Sequence, residues 1–154
     1  MRYSVRIFID ADSCPVAVKE ILYRAAERVH VPLVLVANQD LKIPESPYIS
    51  CIEVPAGPDR ADDRIVDMVE ENDLVISADL PLADRVIGKG GFALNPRGDF
   101  YTIENIKDRL AQRDLMEVLR NSGMDVGGPS SFTMKDRQSF ANQLDRYLMK
   151  NGYR

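Results

Sequence analysis

Residues 4–9 alternate: Val5, Ile7 and Ile9 are separated by Arg6 and Phe8, and the stretch is rich in β-branched side chains. That pattern predicts a strand. Two acids follow, Asp10 and Asp12, separated by one alanine, and then Pro15. Proline suits the first turn of a helix, where its missing N–H is not needed. Val18, Ile21, Leu22, Ala25 and Val29 then recur at helical spacing. Residues 33–37 read as a buried second strand, and the alternation over residues 48–54 reads as a third. Gly57 and Pro58 mark a turn, and Asp59 is placed to cap a helix carrying Ile65, Val66, Met68 and Val69. Asp62 and Asp63 fall in its first turn, where the helix dipole favours negative charge.

Residues 73–78 form a continuous apolar run of the kind found in parallel sheets, and the run delivers Asp79 at its end. A short helix over 80–87, a strand over 92–95 and a turn over 96–99 follow. The spacing of Ile106, Leu110, Leu115, Met116 and Leu119 predicts a helix over 105–121. Residues 122–131 are glycine-rich but lack the lysine and the spacing of a phosphate-binding loop. Thr133 opens a capping box with Asp136, and Phe140, Leu144, Tyr147 and Leu148 supply a closing helix. Strands alternating with helices predict a single-domain three-layer α/β sandwich over residues 1–154, with a mainly parallel central sheet. No repeat or linker divides it.

Composition narrows the chemistry. The chain has 154 residues, 45% of them hydrophobic and 29% charged, as expected of one globular domain. No apolar run approaches the roughly 20 residues of a membrane span, and the start carries no secretory pattern, so a cytoplasmic protein is expected. Cys14 and Cys51 lack the spacing of a zinc site and suit free thiols. The one histidine, His30, follows a helix-like run and fits a helix C-terminus better than a catalytic pair. Acid–base or metal chemistry would therefore fall to carboxylates. The net charge of −4 argues against a broad positive surface for coating nucleic acid, without excluding an enzyme that meets it locally.

Right-handed crossovers would bring the ends of the strands to one rim. If the first and fourth strands are neighbours, Asp10, Asp12 and Asp79 share that rim, with Asp59 and Asp62 near it in topology. Oxygen ligands of this kind suit Mg²⁺ or Mn²⁺ rather than Zn²⁺.

These residues also resemble a known family. Asp-Ala-Asp-Ser-Cys-Pro-Val at 10–16, Ala37-Asn38 and Asp59-Arg-Ala-Asp62 are similar to the bacterial YaiI/YqxD family. So are the stretches at 73–83, 94–98, 110–114, 119–120 and 127–129. That family is in turn similar to PIN-like domains, metal-dependent nucleases with acids at strand ends. The resemblance implies a PIN-like fold in which Asp10 matches the acid of the first strand and Asp79 that of the later strand. Asp59 and Asp62 stand where a mid-chain helix acid would be, and Asp12 is an additional ligand candidate. Asp84 ranks lower and Asp63 reads as surface. An aspartate pair in place of a helix glutamate departs from typical PIN enzymes.

The expectation is a Mg²⁺- or Mn²⁺-dependent phosphodiesterase acting on RNA, with no organic cofactor and no membrane partner. Its catalytic acids would be Asp10, Asp12 and Asp79. Asp10, Asp12, Asp59, Asp62 and Asp79 would hold the metal, and Arg97, Arg113 or Arg120 would steer the phosphate backbone. One alternative is a haloacid-dehalogenase-like phosphohydrolase using Asp10 as nucleophile and Asp12 as acid/base. Another is a non-catalytic module that binds RNA or protein.

Overall fold

The computed structural model describes residues 4–126 and 131–153. Part of the glycine-rich segment, including Gly127–Pro129, therefore lies outside the described residues. The elements run β1 (Ile7–Asp10), α1 (Val16–Val29), β2 (Leu33–Ala37), β3 (Ile49–Glu53), α2 (Arg60–Met68) and β4 (Leu74–Ile76). They continue with α3 (Leu80–Gly88), β5 (Phe92–Leu94), β6 (Phe100–Tyr101), α4 (Ile103–Asn121) and α5 (Met134–Lys150).

The strands form one sheet in the order β3-β2-β1-β4-β5-β6. All pairings are parallel except β5 with β6. Alternate side chains of each strand supply the two faces. Ile7, Ile9, Leu33, Leu35, Leu74 and Ile76 pack with Val18 and Leu22 of α1 and Phe140 and Leu144 of α5. Phe8, Val36 and Val75 pack on the other side against Ile65 of α2 and Leu82 and Val86 of α3. Ala93 and Tyr101 extend that face to Ile106 of α4. The result is the expected three-layer sandwich with a mainly parallel sheet, an arrangement consistent with a PIN-like fold. Among the described residues no helix is long and apolar enough to cross a membrane.

The chain winds outward from β1 to β3, then returns across the sheet to β4 and winds the other way. The switch point thus falls between β1 and β4, where open parallel sheets form ligand crevices at the carboxyl ends of their strands.

Several local expectations shift for identifiable reasons. Pro15 is the N-cap of α1, at φ −58° and ψ 143°, rather than a residue of its first turn. His30 ends α1 in the left-handed region and stacks on Tyr48 at 4.5 Å between ring centroids. Strand β4 starts one residue late. Its expected first residue, Asp73, is 2% exposed and accepts hydrogen bonds from the Arg6 N–H (2.9 Å), the Glu70 N–H (2.9 Å) and Arg6 Nη2 (3.2 Å).

The turn after β5 leads to an edge strand, β6, that the apolar pattern did not show. Asn95 organises it: Oδ1 accepts from the N–H groups of Arg97 and Asp99, and the Asn95 N–H donates to the Asp99 carbonyl. Helix α4 starts at Ile103 because Thr102 and Asn105 make a reciprocal capping box. The anticipated box at Thr133 and Asp136 is present as read. Leu115 and Met116, placed by spacing on an apolar face of α4, are 58% and 41% exposed.

Candidate acidic site at the switch point

Asp10 is the last residue of β1, and Asp79 follows its neighbour β4 by three residues. Asp79 is not itself on the strand. It is the N-cap of α3, its Oδ1 accepting from the Leu82 N–H at 2.9 Å. Ser77, 8% exposed, holds it from behind: Ser77 Oγ accepts the Asp79 N–H at 2.9 Å. Asp10 Oδ1 accepts the Asp12 N–H at 3.2 Å, which folds the turn back over the end of the strand. Asp12 accepts the Asn38 N–H on Oδ2 at 2.7 Å and Gln39 Nε2 on Oδ1 at 3.3 Å. Both Asp12 oxygens are thus engaged in tying the loop after β1 to the loop after β2.

The mid-chain acids reach the same place from α2. Asp59 precedes the helix in the left-handed region, at φ +61°, and makes no side-chain cap, contrary to the capping role its position suggested. A non-glycine residue held there costs about 1–3 kcal/mol, and such residues cluster at functional sites. Asp62 lies in the first turn of α2 and makes no side-chain hydrogen bond or ion pair among the described residues. Asp63, one position on, points elsewhere and pairs with Arg85 at 2.9 Å. Asp84 pairs with Lys107 at 3.4 Å.

Asp10, Asp62 and Asp79 line two adjoining clefts of about 270 and 260 Å³. The first adds Asp12, Asn38, Asp59 and Arg60; the second adds Ser13, Cys14, Ser77 and Pro96. Three acids delivered by β1, α2 and the β4–α3 connection therefore meet at the switch point. Their electrostatics show the cost of that meeting. Burial first, then the charges of Asp79, Asp10 and Asp59, push Asp62 up to about 6, against the opposing pull of Arg85. Burial also raises Asp10; the Asp12 N–H offsets part of this, and the Asp12 and Asp79 charges add to it. Cys14 is pushed up to about 12, mainly by burial, so its thiol stays protonated and inert at neutral pH.

All of these donors are oxygens, the chemistry a hard divalent cation requires. They do not already form a cage: among the described residues, no three Asp, Glu, His or Cys side chains stand at metal-holding spacing. The hydrogen bonds explain this. Asp12 and Asp79 each turn a carboxylate oxygen toward a backbone N–H group.

The three arginines anticipated for phosphate contact do not line either cleft. Arg97 is drawn to the start of α5, where Nη1 meets Asp136 at 2.8 Å and the Ser131 carbonyl at 3.3 Å. Arg113 pairs with Glu117 one turn on in α4, and Arg120 sits exposed in the last turn of that helix. Arg60, which was not singled out, does line the first cleft. Its signal was its place inside Asp59-Arg-Ala-Asp62. Asn38 and Ser77 were also missed as parts of the site. They act through a backbone N–H and a buried hydroxyl, and their signal was likewise their place inside Ala37-Asn38 and the stretch at 73–83.

Residues 8–150 match the family model described as "Uncharacterized BCR, YaiI/YqxD family". A UPF0178 protein of Shewanella baltica (strain OS223) is 59% identical over 145 residues, covering 94% of this chain and 97% of its own. Another, from Hahella chejuensis (strain KCTC 2396), is 59% identical over 146 residues, covering 95% and 97%. A third, from Shewanella sp. (strain MR-7), is 57% identical over 145 residues, covering 94% and 95%. No solved structure matches the chain significantly. With the family model spanning nearly the whole sheet and all three converging acids, the chain belongs to the YaiI/YqxD family.

Proposed function

We propose that this protein is a Mg²⁺- or Mn²⁺-dependent phosphodiesterase acting on RNA. The observation that carries the reading is the convergence of Asp10, Asp62 and Asp79 on one crevice, with Arg60 the one cation lining it among the described residues. Repulsion at that density destabilises the fold unless a cation or a proton relieves it.

In this reading Asp10, Asp62 and Asp79 hold the cation, with Asp12 and Asp59 at its margin. A bound cation supplies a lowered pKa for its water and a clamp on phosphate oxygens. The chain's own part is positioning. Ser77 and the first turn of α3 orient Asp79, and the Asp12 N–H orients Asp10. Arg60, which lines the first cleft, would meet the entering phosphate. Arg113 and Arg120 have a more distant role. Lys107 reaches Asp84, and Leu110 joins the same apolar cluster as Leu80, so α4 runs back along α3 toward its Asp79 end. The last ten or so residues of α4 then extend roughly 15 Å beyond it. Those arginines meet a strand approaching the rim, not the scissile bond.

The test is a Mn²⁺ titration of thermal stability in the wild type, Asp10→Asn and Asp79→Asn, followed by incubation with end-labelled single-stranded RNA. Asparagine at 79 keeps the helix cap while removing the charge. At 100 times the dissociation constant a cation bound to the folded state adds about 2.7 kcal/mol. For a chain of this size that raises Tm by about 5–10 °C. The rise and any RNA cleavage should vanish in both variants. No rise in the wild type would sink the proposal.

A further inference from the structure

A second concavity, a groove of about 540 Å³, lies at the opposite end of the sheet. Strands β1, β4 and β5 are parallel, so Asp10 and Asp79 leave from one rim while Gly90, Gly91 and Phe92 enter β5 from the other. The groove runs between the start of β5, the β6 edge, the first turn of α4 and the last turns of α5. Its volume falls within the ~300–1,000 Å³ of small-molecule sites. Its wall is aromatic: Phe92 meets Phe100 and Tyr147 edge-on, at 6.4 and 5.9 Å between ring centroids. Phe92 is 40% and Ile103 74% exposed, so two large apolar side chains stand in water at the mouth.

The rim is positive. Arg146 and Lys150 lie one turn apart on α5, and both are exposed lining residues. Neither side chain has an ion pair or hydrogen bond among the described residues. The first turn of α4 also lines the groove, and the positive end of a helix dipole favours an anion there. Glu104 is the one opposing carboxylate among the lining residues. An apolar wall beside two cations with no partner among the described residues is complementary to a molecule that carries one negative charge on an apolar body. A second copy of this chain fits less well. A self-complementary pair would place two Arg146 and two Lys150 in one interface against two Glu104, and like charge opposes that.

We propose that this groove binds a small monocarboxylate with an apolar body, seated on Phe92, Phe100 and Ile103 and held at its carboxylate by Arg146 and Lys150. The site is remote from the acidic crevice and does not depend on the reading of that crevice.

Calorimetric titration with octanoate, octanol and octylamine tests it on the whole chain. Octanoate should bind saturably, octanol at least about tenfold more weakly, as loss of a charge-assisted contact implies, and octylamine more weakly still. The double variant Arg146→Ala/Lys150→Ala should lose about tenfold for octanoate and nothing for octanol. Glu104→Gln should bind octanoate more tightly. These positions are exposed, so unchanged Tm values should certify the variants. If the double variant fails to fold, the comparison of octanoate with octanol on the wild type still decides. Equal affinities for those two, absence of saturable binding, or a dimer that Ile103→Asp dissociates would each overturn the proposal.

Discussion

Replacing Asp62 by Asn removes one charge from the crowded crevice while keeping the side chain's shape. Burial, then Asp79, Asp10 and Asp59, raise this carboxyl from 3.8 to about 6. A rise of about two units corresponds to roughly 3 kcal/mol at ~1.4 kcal/mol per unit. Asp62 is only half-buried, and solvent screening reduces the expected effect to about 1–2 kcal/mol. The sign follows from proton linkage. The folded state holds this proton more tightly than the unfolded chain, so ionisation destabilises the fold. The penalty is full above about pH 6, shrinks as pH falls through the interval, and is gone below about 3.8. In chelator near pH 7.5, Asp62→Asn should therefore be more stable than the wild type by about 1–2 kcal/mol. In Tm that is about 2–8 °C for a chain of this length. Near pH 4 the two proteins should converge. In saturating Mn²⁺ the order should reverse, because the wild type gains more from the cation. Thermal denaturation of both proteins from about pH 4 to 8 measures all of this. A gain that does not vary with pH, or a loss near pH 7.5, would refute the repulsion argument and with it the main support for a cation site.

Other predictions concern the frame around the crevice. Asp73→Ala leaves the N–H groups of Arg6 and Glu70 without their acceptor and takes one partner from the Arg6 guanidinium, which keeps the Met68 carbonyl and Glu70; this should cost about 2–4 kcal/mol by urea unfolding. Gly98 sits at φ +95°, and a Cβ there would stand 2.4 Å from Ser139 Oγ and 2.7 Å from its backbone carbon. Gly98→Ala should therefore cost 3 kcal/mol or more, at roughly 1–3 for the backbone strain plus the overlap, and should lower Tm accordingly. Thr133→Ala removes the acceptor for the Asp136 N–H at the start of α5 and should cost about 1 kcal/mol by chemical denaturation.

Much of this architecture is legible in the chain because local periodicity reports directly on burial. Strand β2 falls where the apolar run placed it, and the Thr133–Asp136 box is a short-range hydrogen-bond pattern that needs no partner from elsewhere. Asp10 was readable as a strand-end acid for the same reason. Local patterns fail where a side chain answers to a distant one. Asp73 looks like a strand residue but is claimed by Arg6, and Arg97 looks available for phosphate but is claimed by Asp136. The apolar spacing of Leu115 and Met116 is helical, yet nothing in that spacing says whether a neighbour covers them, and both stay largely exposed among the described residues.

The sequence alone thus determined the alternation of most elements, the Thr133–Asp136 cap, and the presence of acids after two buried strands. Those properties depend on interactions over a few residues. Only the tertiary structure decided that β1 and β4 are neighbours and that α2 swings Asp59 and Asp62 over their ends. Strand order is set by the packing of whole layers, and repulsion between carboxylates exists only once that packing has brought them together.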